Sequence, residues 1–302
     1  MIKTCAAVVF LLVFSPGLFA QNCVDNANIV APVLSENARK TYATKLAEAR
    51  AEFEKNPSSA DAIIWLGRRT AYPGNYREAI KIFTGGLAKF PDDARFYRHR
   101  GHRYITIRCF DDAIKDFETA AKLVKGKADE IEPDGLPNTR NIPTSTLQTN
   151  IFYHLGLAYY VKGDFRNALK AFKNCEKVSK NADMTVAAKH WLYMTLRRLG
   201  KTKEAEKSLA DVKDNLDIIE NDDYYKLVKL YQGKLKAEDL QKEIDAEADT
   251  LSSASLGYGL GNWFLYNGEK EKAIKIFRQI TSGSQWASFG FIAAEAEQRG
   301  IR

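Results

Sequence analysis

Small, apolar and aromatic residues recur along much of this chain with a period of 34 residues. Gly67 and Gly101 are separated by one such period. The same spacing separates four further pairs: Ala79 and Ala113, Phe83 and Phe117, Tyr76 and Phe110, and Pro57 and Pro91. A period of this length predicts a pair of helices per repeat, stacked on its neighbours to bury a continuous core.

Three later segments keep the same order of residue types: FYHLGLAYYVKGDFRNALKAFKNCEKV, HWLYMTLRRLGKTKEAEKSL and LGNWFLYNGEKEKAIKIFRQI. A small residue such as Gly156 on the first helix lets the second helix approach, and an alanine such as Ala168 fits against it. Aromatic side chains such as Phe172 fill the space between neighbouring repeats. A glycine or a polar residue ends each first helix, and Pro91 stops a second helix. The pattern therefore predicts an all-α protein.

Four features flank or interrupt the repeats within one predicted domain, residues 36–297. Residues 37–56 form an amphipathic stripe that predicts a cap for the first repeat. Residues 125–147 carry three prolines and an Asp-Gly pair, which predicts an inserted loop. The repeat is divergent over 214–250 but still predicts two helices. An apolar helix at 286–297 is expected to close the end.

The repeated units resemble tetratricopeptide repeats (TPR) over most of residues 59–283. The resemblance implies a right-handed α-solenoid of about five to six helix pairs with capping helices at both ends. The segments YYKLVKLYQGKLKAEDL and LYNGEKEKAIKIF, within residues 224–297, are similar to the NlpI type of extracytoplasmic bacterial TPR lipoprotein. Members of that family are adaptors that dock proteases and peptidoglycan hydrolases, so the resemblance implies an adaptor.

The N-terminus predicts export. Lys3 precedes the short apolar run AAVVFLLVF, and Ala20 offers a small residue ahead of a cut before Gln21. The run is too short to span a bilayer, so residues 1–20 read as a cleaved signal peptide and residues 21–35 as an extended segment. Asn22 disfavours a lipoprotein anchored through Cys23; a buried N-terminal helix is the remaining alternative. We expect a periplasmic or extracellular bacterial protein.

Charge narrows the class of partner. The formal net charge is +7 and the sequence pI about 9.0, which favours anionic partners. No nucleophile-elbow, zinc-protease, phosphate-loop or dinucleotide motif is present. We therefore predict no catalysis, no cofactor and no metal, and export argues against nucleic acid as a partner.

A basic and aromatic groove is the predicted site. In the TPR family the first helix of each repeat lines the concave surface. The residues that this places there are Arg68, Tyr72, Arg95, Arg98, His102, Tyr153, Tyr160, His190, Arg197, Arg198, Tyr258, Asn262 and Tyr266. Guanidinium groups bind carboxylate or phosphate, and aromatic faces stack on peptide or sugar. A protein or peptide partner of acidic character is favoured; a glycan or another anionic small ligand is the alternative.

Three residue types leave other chemistry open. The four histidines, His99, His102, His154 and His190, lie on first helices and suit hydrogen bonding better than a metal site. Cys109 and Cys175 are expected as packed free thiols, with a disulfide left open. Carboxylates of the insertion could serve a hydrolase as acid and base. We favour the other interpretation, that they pair with Arg98 or Arg103 and fix the loop over the groove.

Overall fold

A computed structural model describes residues 23–300, so the predicted signal peptide, residues 1–20, lies outside the described residues. Over residues 23–300 the chain is helical, and the sole extended pairing is a bridge between Ile131 and Thr146. None of the helices in this range combines the length and apolar character that crossing a membrane requires. The helices are α1 Cys23–Asn26, α2 Glu36–Lys55, α3 Ala60–Ala71, α4 Tyr76–Lys89, α5 Ala94–Thr106, α6 Phe110–Val124, α7 Leu147–Val161, α8 Phe165–Val178, α9 Ala182–Arg198, α10 Thr202–Ser208, α11 Asp222–Tyr231, α12 Ala237–Ala246, α13 Leu251–Tyr266, α14 Lys270–Thr281 and α15 Phe289–Gly300.

Four helix pairs share one packing device, a glycine on the first helix under a phenylalanine of the second. A Cβ atom built on the glycine would stand 2.4 to 2.9 Å from the ring, closer than any real contact. The pairs are Gly67 with Phe83, Gly101 with Phe117, Gly156 with Phe172 and Gly261 with Phe277. Each phenylalanine is almost fully buried. The predicted all-α solenoid of TPR-type helix pairs is confirmed.

Short polar residues set where the helices begin. Ser59 starts α3 by accepting a hydrogen bond from the backbone amide of Ala62, and Asn181 starts α9 in the same way. Thr146 and Thr250 begin α7 and α13 with reciprocal capping boxes. Such caps satisfy amide groups that have no partner within the helix, so the loops enter each pair at a fixed angle.

A disulfide fastens the N-terminal segment. Cys23 in α1 is bonded to Cys109, the residue that precedes α6. The expectation of a free thiol at Cys109 was therefore wrong, because the segment before α2 folds back beside the second repeat. Arg77 holds the same segment by donating to the carbonyl oxygens of Val24 and Ala27, at 2.8 and 2.6 Å. Cys175 is a buried free thiol, and burial raises its pKa to about 12.

The C-terminal helix does more than close the array. α15 packs against α13 and α14, the last helix pair, and also against α7. Phe289 at its start contacts the rings of His102 in α5 and His154 in α7, with centroids 5.4 Å away in both cases. The helix therefore lies along the inner face of the array and covers much of it.

Candidate functional site: a basic pocket beneath the inserted loop

The predicted groove residues of the later repeats lie inside the molecule. Asn262 donates to the hydroxyl oxygens of Tyr160 and Tyr258, at 2.5 and 2.9 Å. Tyr258 donates to Glu297 of α15 at 3.3 Å, and Arg198 is ion-paired with the same carboxylate. These side chains hold α15 in place. The open groove expected here is filled because α15 packs against α13 and α7, with its Phe291, Ile292 and Ala294 buried.

A second internal group joins α7, α9 and α11. Trp191 donates to the Tyr153 hydroxyl at 2.9 Å, and that hydroxyl donates to Tyr224 at 3.2 Å. His190 is fully buried, stacks on Tyr224 and shares a hydrogen bond with Tyr231 at 3.1 Å. Burial lowers the pKa of His190 to about 3, so this ring is neutral near pH 7. Tyr153 and His190 are thus buried in the interior and are not exposed on a groove surface.

Arg197, Tyr266 and Arg95 lie at the margins. Arg197 stacks on Tyr266, with the guanidinium carbon 4.2 Å from the ring centroid, and donates to Asn267 at 2.8 Å. Arg95 forms ion pairs with Asp61 and Asp93, both at 2.6 Å. These three residues are partly accessible but engaged by neighbours, and whether they contact a partner stays a prediction.

The remaining predicted residues meet in one pocket between α3 and α5. The pocket has a volume of about 100 Å³. It collects the four predicted residues Arg68, Tyr72, Arg98 and His102. Five further residues complete its wall: Ala71, Phe83, His99, Arg103 and Glu132. Three guanidinium groups thus share a small volume with one carboxylate, which comes from the inserted loop.

Arg98 is the buried centre of this pocket. Its side chain is 9% exposed, and its Nε lies 2.9 Å from an Oε2 of Glu132, itself 10% exposed. Neither of these two atoms makes an aligned hydrogen bond to any residue within 23–300. The Nη1 of Arg98 lies 3.2 Å from Nδ1 of His99 and 3.3 Å from Nδ1 of His102. A guanidinium only donates, so both imidazole nitrogens accept.

Both imidazoles remain neutral in this setting. Burial, reinforced by nearby guanidinium groups, holds the pKa values of His99 and His102 well below 6.5. Since charging either ring would place another cation beside Arg98, the rings act as hydrogen-bond acceptors near neutral pH. The positive charge of the pocket therefore comes from arginine alone.

Arg103 has no carboxylate of its own. Within residues 23–300 its side chain makes neither an ion pair nor a hydrogen bond, and its guanidinium carbon lies 5.8 Å from the centroid of the Tyr76 ring. Burial lowers its pKa to about 10, which still leaves it charged at pH 7. With Arg68 and Arg98, it gives the pocket three positive charges against one lining carboxylate, Glu132, and a second carboxylate, Asp134, lies close enough to interact with Arg68.

The inserted loop runs across the inner face from this pocket to the segment before α11. At the pocket, Arg68 donates to the carbonyl of Pro133 at 2.8 Å and Arg69 to that of Gly135 at 2.6 Å. At the far end, Arg140 pairs with Asp217 at 2.7 Å. The predicted pairing of a loop carboxylate with Arg98 is confirmed. The sequence predicted this position over the groove but not the onward course of the loop to Asp217.

Comparisons with known proteins agree with this architecture. No family model matches the chain. Mouse "Tetratricopeptide repeat protein 12" is 23% identical over 192 residues, which are 63% of this chain and 24% of that protein. The chain thus spans about a quarter of that relative's length.

Solved structures that resemble the chain include two TPR-fold proteins. YrrB, titled as a TPR protein with an unusual peptide-binding site, is 16% identical with a TM-score of 0.44, over 83% of this chain and 97% of its own. MamA is 15% identical with a TM-score of 0.42, over 66% and 87%. YrrB and the curated relative are titled as TPR proteins. The TPR-type solenoid fold of this chain follows from the four glycine–phenylalanine helix pairs described above. The finer similarity to NlpI-type adaptors stays a prediction.

Proposed function

We propose that this protein is an exported scaffold that binds a protein or peptide partner through an acidic group. The observation that carries the proposal is the pocket of Arg68, Arg98 and Arg103, which holds more positive charge than Glu132 balances. Guanidinium forks favour carboxylates because they donate two parallel hydrogen bonds to them. The partner would therefore contact the first two helix pairs, at the pocket that the inserted loop borders.

Two features support the part of the proposal that concerns export. The N-terminal residues read as a cleaved signal peptide. The bond between Cys23 and Cys109 is of a kind that persists in oxidising compartments such as the periplasm. The bonded sulfur of Cys23 is also not available for the thioether bond of a lipoprotein. Both features favour a periplasmic or extracellular protein.

The size of the pocket favours an acidic side chain over a glycan. A volume of about 100 Å³ lies well below the roughly 300–1,000 Å³ of pockets that bury small-molecule ligands. That space suits a carboxylate group better than a whole sugar ring. Binding is also favoured over hydrolysis, because Glu132 is held against Arg98 and His102 already accepts from the same guanidinium.

The test is a differential capture experiment. The mature protein, residues 21–302, would be immobilised and exposed to an envelope extract of its host, beside the variants Arg68→Glu and Arg166→Glu. Arg166 is exposed on α8, outside the pocket, so its variant reverses the same charge elsewhere. We expect Arg68→Glu to lose proteins that the wild type and Arg166→Glu retain.

Circular dichroism would first establish that both variants are folded. Identical capture by all three proteins would contradict the proposed site, and no capture by any of them would contradict the scaffold function itself.

A further inference from the structure

We infer that the arginine pocket is a binding site for a compact oxyanion, and that Glu132 of the inserted loop occupies it in the free protein as an internal competitor. The inference deepens the proposed function, since it assigns the chemistry of the group that the partner would insert. It also gives the inserted loop a role, as the element that the incoming anion displaces.

Charge is the first argument. Arg68, Arg98 and Arg103 line a single small cavity, and Glu132 is the one carboxylate among the lining residues. Like charges at close range in a partly desolvated site repel one another and attract an anion. The site therefore retains a net attraction for a second negative charge even with Glu132 in place. Its neutral imidazoles do not cancel that attraction.

The imperfect fit of Glu132 is the second argument. Its Oε2 and the Nε of Arg98 are buried and 2.9 Å apart, yet neither makes an aligned hydrogen bond within residues 23–300. The loop backbone sets the direction of this carboxylate. A free oxyanion carries several acceptor atoms and can rotate, so it can align with Arg98 and reach Arg103 as well. Arg103 gains its first anionic partner in that arrangement.

The mainly polar anchoring of the loop is the third argument. Around Glu132 the loop is held by the bridge between Ile131 and Thr146 and by the amide of Glu132, which donates to Ser145 at 3.1 Å. The carbonyl groups of Pro133 and Gly135 accept from Arg68 and Arg69. Its apolar side chains add little, because Ile131 is 68% exposed and Leu136 is 48% exposed. A segment with few buried apolar contacts opens at low free-energy cost. Glu132 can therefore leave the pocket while α6 and α7, on either side of the insertion, stay folded.

The size of the cavity defines the ligand class. The cavity of about 100 Å³, together with the space that the Glu132 carboxylate vacates, accepts a carboxylate, phosphate or sulfate group, and these share the chemistry of a compact oxyanion. A carboxylate would come from a partner side chain or chain terminus, whereas phosphate and sulfate also exist as free ions. The probes in the experiment are chosen to separate these two sources.

The experiment is calorimetric titration of the purified mature protein at low ionic strength with inorganic phosphate and, separately, with triglutamate. Three proteins are compared: the wild type, Glu132→Gln and Glu130→Gln. Glu132→Gln removes the competing charge while keeping the shape of the side chain. Glu130 is exposed on the same loop, so its variant makes the same charge change outside the pocket.

We expect Glu132→Gln to bind at least one probe about tenfold more tightly than the wild type. A tenfold difference means that Glu132 occupies the pocket in about nine of ten wild-type molecules, so that about one in ten is free to bind. Glu130→Gln should bind like the wild type. Adding Arg103→Gln to Glu132→Gln should abolish binding. Tighter binding of triglutamate than of phosphate would assign the site to a partner carboxylate; the reverse order would assign it to a free ion. Either order supports the oxyanion pocket.

Hydrogen exchange on the wild-type protein provides a second readout that needs no substitution. A saturating probe should speed exchange at the amides of residues 130–136, because the loop is released when Glu132 leaves. Absence of binding by both the wild type and Glu132→Gln would overturn the inference, as would equal affinities for Glu132→Gln and Glu130→Gln. The probes are not protein partners, so this experiment is independent of the capture experiment. If the anions bind but Arg68→Glu captures the same proteins as the wild type, the proposed function is refuted and the oxyanion pocket is not.

Discussion

At the scale of single residues, a glycine on the first helix decides how closely four of the helix pairs can pack. In four pairs a phenylalanine ring occupies the place of the missing side chain. The same ring then contacts the next pair, as Phe83 stacks on His99 with centroids 5.7 Å apart. One glycine therefore affects both the contact within a pair and the contact between pairs.

Two glycine substitutions test this packing. A Cβ atom at Gly156 would stand 2.5 Å from the Phe172 ring, whereas one at Gly85 in α4 would meet nothing within 4 Å. We expect Gly156→Ala to lower the free energy of unfolding by about 1–3 kcal/mol through overpacking. Gly85→Ala should raise it by about 0.5–1 kcal/mol, because alanine loses less backbone entropy than glycine in a helix. Urea unfolding measures both, and equal effects would contradict the packing described here.

The spacing of these residues is what made the fold predictable. A glycine and a phenylalanine 16 positions apart recur in four pairs, and contacts within one pair are local in sequence. The fate of the inner-face polar residues was not predictable in this way. Asn262 and Tyr160 are hydrogen-bonded although 102 positions separate them in the sequence. A local sequence pattern does not indicate which distant element will cover a helix face.

At the scale of elements, three segments outside the repeats were harder to place than the repeats themselves. The boundaries of the insertion were visible from its prolines, and the structure has α6 ending at Val124 and α7 beginning at Leu147. Its path was not visible, because that path depends on Arg68, Arg69 and Asp217, which belong to other elements. The disulfide was missed for the same reason, since 86 positions separate Cys23 from Cys109.

The disulfide gives a prediction at this scale. A bond that closes a long loop stabilises the folded state chiefly by restricting the unfolded chain. We expect Cys23→Ser to lower the free energy of unfolding by about 2–4 kcal/mol. Dithiothreitol should lower the melting temperature of the wild type and leave that of Cys23→Ser unchanged. The buried Cys175 thiol should contribute nothing to either result. Equal melting temperatures for oxidised and reduced wild type would count against a structural disulfide.

At the scale of the whole molecule, α15 changes the character of the solenoid. In an open repeat array each unit contacts only its neighbours, so the array can unfold in parts. Here Arg108, which follows α5, pairs with Glu295 of α15 at 2.8 Å and stacks on Trp286 with its guanidinium carbon 3.8 Å from the ring centroid. Arg198 of α9 pairs with Glu297. The C-terminal segment thereby connects early, middle and late repeats.

This connection predicts cooperative unfolding that depends on the seating of α15. Gly290 lies so close to α13 that an added Cβ atom would stand 2.2 Å from the carbonyl oxygen of Ala254, whereas one on Gly300 would meet nothing within 4 Å. We expect Gly290→Val to lift α15 and lower stability by about 1–3 kcal/mol. Its urea transition should also become shallower or split, because the dependence on denaturant follows the surface exposed in one cooperative step.

The measurement compares circular dichroism with tryptophan fluorescence during urea unfolding. The fluorescence combines the signals of Trp65 in the first repeat, the buried Trp191 in α9, and Trp263 and Trp286 at the C-terminal end. The two signals should coincide in the wild type and in Gly300→Val and should separate in Gly290→Val. Separate transitions in the wild type would mean that the repeats unfold independently despite α15. In that case the contacts of Arg108 and Arg198 would hold the C-terminal segment in place without making the unfolding of one repeat depend on that of another.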